Sequence, residues 1–591
     1  MKLLFMLILS FSSYAYDIDQ ITIKVNKIKN LSGLVTFQEK ELEKYQTFDD
    51  LIKTQSDLAL IRSGGAGQMA SLFIRGNDSA NIMVIMDGVT LNDPSNPTGQ
   101  FDFGKISLNN LEKIEILKGP QTLLFGPNAL GGVLILTSKV NKTNTTTLSL
   151  KATNSDTYET AINQTIKHSK GHISFGGDLL FAEGISATND ISKPTNDRDQ
   201  TKQVNSHLNI VQNLNEHHSL KINHLYSQNK NDLDKGAHTD DPNDYQKQKQ
   251  NALLLGHTYD SNKYSSDLSY SILKIRRQLF ILQDDNDLQD LYFSNEVSAQ
   301  KFKLNNFYQI NNVLTHQINL EYGIEGNKEH HHSKTSALVY AQQFNWDFFL
   351  INWGARLDSH NLYNEKATYQ IGLEKKVGQL NIKLNHATGI KAPTLYQLYD
   401  PYYGNKNLIP EKSLSTDLNA DYFINQHLLL NASLFHNLIK DRLTYDPSTY
   451  ISINEGEATI SGVEIKSTLK IYERFTFAFS NTALKTKDKR SKEKLLRRPH
   501  LSSRLTSEYQ LEKLAIQLEA SYISKRDDIN QNMQRIKMPS YALLDLAFFY
   551  NFSSKTKSSL RINNLLDKNY EALSGFNSPK RFYSFEMNFN F

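Results

Sequence analysis

Tyr583-Ser584-Phe585-Glu586-Met587-Asn588-Phe589-Asn590-Phe591, the last nine residues, alternate without a break between aromatic or thioether side chains and polar ones. Successive residues of an extended strand point to opposite faces, so this segment reads as a strand with one greasy and one wet side. Leu428, Leu430, Ala432 and Leu434 repeat the pattern. Comparable segments of about ten residues recur beyond residue 140, separated by turn clusters such as His168-Ser169-Lys170-Gly171 and Asn425-Gln426-His427. Two kinds of wall have that polarity: the sheet of a secreted sandwich or propeller, and a sheet standing between lipid and a wet lumen. An aromatic stripe on the final strand favours the second, because a barrel in the outer membrane needs apolar outer faces, aromatic girdles and no free edge.

Residues 145–591, at about twenty residues per strand and loop, give roughly 22 strands, and a cylinder that wide encloses a lumen that must be filled. The texture before residue 140 is different. Residues 47–62 carry helical spacing at Leu51, Ile52, Leu58 and Ile61, while residues 82–86 and 114–117 read as short strands. The expected fold is an all-β transmembrane barrel of about 22 antiparallel strands over residues 145–591. An N-terminal α/β plug domain, residues 29–140, is expected inside its lumen.

Met1-Lys2, an apolar run over residues 3–9 and the small-residue exit Ser13-Tyr14-Ala15 read as a secretory signal peptide, residues 1–15. Beyond it no apolar run approaches the ~18 residues of a spanning helix, so an exported membrane chain of this kind crosses as strands. The charge balance, 66 Lys+Arg against 62 Asp+Glu, gives no case for nucleic acid. The absence of cysteine removes disulfides, thiolate metal sites and Cys nucleophiles together. Neither a nucleophile elbow nor a metal-ligand triad supports a hydrolase, and no residue is expected to make or break a covalent bond.

Eight motifs in order resemble the TonB-dependent outer-membrane receptors. In the plug they are Ser71-Leu72-Phe73-Ile74-Arg75-Gly76, Val84-Ile85-Met86-Asp87-Gly88-Val89, Ile114-Glu115-Ile116-Leu117-Lys118-Gly119-Pro120 and Phe125-Gly126-Pro127-Asn128-Ala129-Leu130-Gly131-Gly132-Val133. In the barrel they are Lys391-Ala392-Pro393-Thr394-Leu395-Tyr396, Asn405-Lys406-Asn407-Leu408-Ile409-Pro410-Glu411, Gly462-Val463-Glu464 and Asn563-Asn564-Leu565-Leu566-Asp567-Lys568. The resemblance implies a monomeric active transporter in the outer-membrane lipid, with no enzymatic activity. It binds a small-molecule ligand and is driven by TonB with its inner-membrane energising complex.

Asp19-Gln20-Ile21-Thr22-Ile23-Lys24-Val25, within a linker over residues 16–28, is similar to the family's TonB box, and an extended peptide of this kind can add to the edge of a partner's sheet. The family's pairing of two plug cations with two wall carboxylates falls on Arg75, Lys118, Asp417 and Glu464, with Lys and Asp standing where the family has Arg and Glu. Within the family the cobalamin-receptor branch is the most similar. That implies substrate contacts at Gln68, Ser95 and Asn96 and a corrinoid ligand, with a ferric siderophore as the alternative and a passive porin as the rival from another class. No cofactor is required. The same branch orders its outer loops with calcium, for which Asp197, Asp199, Asp232 and Asp234 are the candidate ligands.

Overall fold

The structure, a computed structural model, describes residues 33–189, 197–241, 243–282, 289–446, 448–472 and 474–591. Twenty-two strands, from Thr145–Thr153 to Phe582–Asn590, form one closed barrel in which each strand pairs antiparallel with its neighbours. The seam closes where the last strand meets the first, with Phe585 opposite Ala152 and Phe589 opposite Leu148. Alternation on the terminal strand is realised in space. Tyr583 and Phe585 are 42% and 46% exposed on the outer wall, while Ser584 and Glu586 are 3% and 4% exposed on the inner one. Leu150, Ile162, Phe175 and Leu179 continue the exposed apolar face around the seam. Among the described residues no helix is long and apolar enough to cross a membrane, so the strands carry the crossing.

Turns of a few residues, such as 169–170 and 424–427, close one end of the barrel, the end at which the chain enters from the plug. Long connections, among them 183–200, 392–410, 441–456, 489–500, 524–540 and 564–581, gather at the other, which is the outer face in this architecture.

Inside the bore, Leu34–Gln38, Leu111–Lys118, Gly132–Ser138, Ile82–Met86 and Val89–Thr90 form a five-stranded sheet in that order. Its one parallel pair joins Ile82–Met86 to Gly132–Ser138. Leu58–Arg62 and Ala70–Ile74 make a separate hairpin. The helical spacing of residues 47–62 is realised only over Phe48–Ile52, where Thr47 caps the first turn by accepting the Asp50 N–H at 3.2 Å. The polar run Lys53-Thr54-Gln55-Ser56 ends that helix, and Leu58 and Ile61 belong to a strand. The plug core of Leu72, Ile74, Ile82, Val84, Ile114, Ile116 and Leu134 is sealed from solvent. Wall residues Leu225, Ala252, Leu254, Leu273 and Ile275 pack into the same cluster, so on that side plug and barrel share one apolar core.

The outer face of the seam should reject charge. Phe585→Lys is expected to cost about 2–4 kcal/mol if it lies near the bilayer midplane, measured by reversible unfolding in phospholipid vesicles. Ser584→Asn, one position along and facing the lumen, should stay within about 1 kcal/mol.

Candidate functional site

The plug cations Arg75 and Lys118 meet the wall in a buried cluster. Arg75 ends the Ala70–Ile74 strand with a left-handed backbone (φ 50°), its N–H donating to Asp57 O at 2.8 Å. That turn sends the guanidinium to Asp417 at 2.6 Å and Glu464 at 3.3 Å, with Phe435 lying under it at 4.6 Å. Lys118, at the end of Leu111–Lys118, reaches Asp57 at 2.6 Å and Glu464 at 3.1 Å. Lys466 completes the set with contacts to Glu464 at 2.8 Å and Asp57 at 3.3 Å. Three cations thus face three carboxylates. A neutral total matters, because an uncompensated charge in such a place is costly. Burial pushes the Lys118 ammonium below its ordinary range in spite of Asp57 and Glu464.

The four residues matched by motif are therefore brought together, and two more belong with them. Lys466 had a legible signal, since it lies two residues beyond Glu464 and so shares its face of the strand. Asp57 had none, being an acid in a polar turn. Other plug-to-wall ties were also unforeseen. Arg498 donates to Gly76 O at 2.9 Å and to Asp78 at 2.6 Å, Arg561 stands 3.6 Å from Asp50, and Arg277 pairs with Asp93.

The three residues expected to touch substrate sit in the outward plug loops with their side chains buried. Gln68 Nε2 donates to Asp232 O at 2.8 Å. Ser95 Oγ donates to Asp93 at 2.5 Å, and Asn96 Oδ1 accepts from Thr98 N at 2.9 Å. These groups are spent on loop and wall partners, so a ligand engages them only by exchanging those bonds. Gly67 shows how tightly the first loop is seated. It has φ +78°, and a Cβ there would lie 2.1 Å from Thr201.

Of the four acids expected to gather in the outer loops, Asp197, Asp199 and Asp234 bring carboxylate oxygens within 4.8 Å of one another. Asp232 does not join them, which corrects that expectation: its carboxylate accepts Gln200 N–H at 3.2 Å and faces Lys230 at 3.5 Å. Asp199 is 1% exposed, and its Oδ1 has no hydrogen-bond partner among the described residues. Burial, with the neighbouring acids adding to it, pushes the Asp199 carboxyl up to about 8; burial and a hydrogen bond with Asp240 push Asp197 up to about 7. Residues 19–25 lie outside the described residues, as does the segment 1–15.

Beside the plug lies a cavity of about 690 Å³, bounded by plug residues between Gln46 and Gly67 and between Gly104 and Leu108 and by inner-wall positions on both sides of the barrel seam, with outer-loop residues such as Arg198 and Arg581 lining it as well.

A closed 22-strand barrel whose bore holds a domain tied to the wall through buried ion pairs has the build of a gated receptor rather than an open pore. The family model described as TonB dependent receptor-like, beta-barrel, matches residues 139–565, and the TonB-dependent Receptor Plug Domain matches residues 28–133. The chain belongs to the TonB-dependent receptors, and so is an outer-membrane transporter that works with TonB on a small-molecule ligand. Among curated relatives, the Vitamin B12 transporter BtuB of Vibrio cholerae serotype O1 (strain M66-2) is 26% identical over 571 residues, covering 94% of this chain and 92% of that protein. Its namesake from Photobacterium profundum is 24% identical over 592 residues, with the same coverage. Among solved structures, a mutant ferric enterobactin receptor PfeA from Pseudomonas aeruginosa superposes with a TM-score of 0.83 at 15% identity, covering 95% of this chain and 99% of that one. The copper transporter OprC does so with 0.79 at 14%, covering 94% and 99%.

Glu464→Gln leaves the cluster with an uncompensated cation. Plug docking is expected to weaken by about 3–5 kcal/mol, measured as chloride leak across planar bilayers and faster proteolysis of the plug. A leak as low as that of the unaltered receptor would show that the cluster does not hold the plug.

Proposed function

We propose that the protein imports cobalamin or a related corrinoid across the outer membrane, using work delivered by TonB to residues 19–25. The observation that carries this reading is the sequence likeness to the vitamin B12 transporters, which runs through plug and barrel alike. The likeness to siderophore and copper receptors is one of fold at 14–16% identity. A ferric siderophore is the alternative cargo.

The coupling path has a physical basis at Gly33. Gly33 O accepts the Lys118 N–H at 2.9 Å, and a Cβ on Gly33 would lie 3.2 Å from Arg75 Nη2 and 3.3 Å from Lys118 Cδ. Gly33 follows Val25 by eight residues, so tension on the 19–25 segment arrives at the two plug cations before it reaches the rest of the domain. The cluster is buried, so stranding one of its charges is costly, but opening that end of the plug as a unit admits water, and the hydration regained by all the ions offsets the pairing lost. The shared apolar core on the other wall keeps the remainder in place.

We further propose that Asp197, Asp199 and Asp234 hold calcium. Hard carboxylate oxygens suit that ion, and Asp199, buried with an oxygen that has no partner among the described residues, is the kind of group a cation would satisfy. Binding there would join the 183–200 and 233–244 connections above the plug.

Purified receptor is expected to bind cyanocobalamin tightly and ferric enterobactin weakly; the opposite order would assign the siderophore. Deleting residues 19–25 should abolish cobalamin uptake by intact cells with binding unchanged, and uptake that persists would end the coupling assignment.

Calcium should raise the thermal unfolding temperature of the purified receptor, and a chelator should reverse the rise. Asp199→Asn is expected to remove most of the response, whereas Asp232→Asn should keep it.

A further inference from the structure

The cavity beside the plug carries an imbalance of charge that the ion pairs described above do not account for. Nine basic and five acidic side chains line it. Most of the cations near its mouth have acids of their own: Arg198 meets Asp156 and Glu183, Arg497 meets Asp528, and Arg581 stands 3.8 Å from Asp567. Two arginines have none among the described residues. Arg504, on the Leu501–Gln510 strand and 7% exposed, donates to Ser503 O at 3.2 Å, and among the described residues it reaches no carboxylate and its Nε is buried without a hydrogen-bond partner. Arg526, 4% exposed, spends its guanidinium on carbonyl oxygens, among them Ala572 O at 2.9 Å and Pro539 O at 3.3 Å.

The acids that contribute to the field at Arg504 are engaged elsewhere. Glu519 is paired with Arg561, and Asp545 accepts the Asn564 N–H at 2.7 Å. Neither comes within ion-pair distance of Arg504 among the described residues. Tyr541 neighbours both arginines, with Arg526 over its ring at 5.3 Å. Ser521, directly across the ladder from Arg504, lines the same cavity and offers a hydroxyl.

Buried guanidiniums are costly unless a counter-charge arrives, and Arg presents a planar fork suited to the paired oxygens of a phosphate or carboxylate. We propose that this lateral cavity contains an anion subsite, centred on Arg504 with Arg526 and Ser521 beside it, that takes an oxyanion group such as a phosphodiester. Its use as a station for the cargo's anionic group rests on the transporter reading above. The site itself does not, because it is defined by the wall and can be probed without cargo.

The chain has no cysteine, so a single Ser521→Cys substitution places one thiol in the full-length receptor. Its reaction with an anionic and a cationic methanethiosulfonate reagent, each normalised to a free thiol, reads the local potential. The anionic reagent is expected to react roughly tenfold faster, as a basic cleft concentrates anions. Inorganic phosphate should slow the reaction more than chloride of equal ionic strength. Adding Arg504→Gln should abolish both the preference and the protection, while adding Arg504→Lys should keep the preference; binding of cyanocobalamin is a separate measurement. A thiol inert to both reagents, equal normalised rates, or a preference unchanged by Arg504→Gln would each overturn the subsite. Loss of cobalamin binding with the preference intact would count against the corrinoid reading alone.

Discussion

Lipid offers no hydrogen-bond partner to a backbone, and that constraint organises this protein more than any single contact. A sheet in hydrocarbon must pair its last strand with its first, which here sets Phe582–Asn590 against Thr145–Thr153. Closure over twenty-two strands fixes a bore too wide for side chains to fill. The bore must hold something folded, and whatever fills it meets a wall whose inward residues are the polar half of every alternating strand. The plug's surface chemistry follows. Its cations and amides find carboxylates and amides on the wall because apolar contacts are scarce there.

They are not absent, and their placement gives the plug two unlike attachments. On the wall around Leu225, Leu254, Leu273 and Ile275 the plug core continues into the barrel. Separating those surfaces exposes apolar area at about 25 cal/mol per Å², with nothing gained until water has entered. Around Asp417 and Glu464 the attachment is mainly ionic, with a smaller apolar contact of Leu130 against Phe435 and Ile460 beside it, and water that enters when the ions separate can rehydrate them. The cavity lies between the barrel wall and the plug, whose lining comes mostly from residues 46–67 in the first part of the domain, with Gly104 and Ile106 to Leu108 from a later segment. In the transporter reading, drawing out the N-terminal part of the plug loosens exchangeable contacts and widens a space that already exists, while the apolar attachment keeps the rest seated.

The barrel was legible because its signal is local: a period of two needs only nine residues to show, and Tyr583 to Phe591 show it. The plug cations were legible as charges inside strand-ending motifs. Other features failed for physical reasons that differ. The apolar spacing at Leu51, Ile52, Leu58 and Ile61 fits a helix, but Lys53 to Ser56 break it, and the spacing cannot tell a continuous helix from a helix followed by a strand. Asp57 owes its role to Lys118 and Lys466, 61 and 409 positions away, and no local pattern announces partners at such distances. Ser95 and Asn96 have the polar composition of a binding loop, yet such side chains also satisfy their own turn, and here they do. Asp232 sits among acids in sequence and beside Lys230 in space.

The departures of this chain from the family's charge pairs obey a rule that residue identity conceals. A lysine in place of the second plug arginine loses a planar fork, and its ammonium is a point charge that cannot grip two carboxylates in the same fixed geometry. Lys118 nevertheless touches both Asp57 and Glu464, and Lys466 touches the same two acids from the wall. What one guanidinium would bridge is bridged by two ammoniums, and the extra positive charge is matched by Asp57. Buried away from bulk water, the quantity under constraint is the sum over the cluster, three against three, together with a partner for each carboxylate. Shape can be redistributed between plug and wall as long as that sum holds. Removing Asp57 alone would leave three cations to share two carboxylates, with both lysines falling back on Glu464, although neither Asp57 nor Lys466 stands in the motifs by which the plug and barrel are recognised.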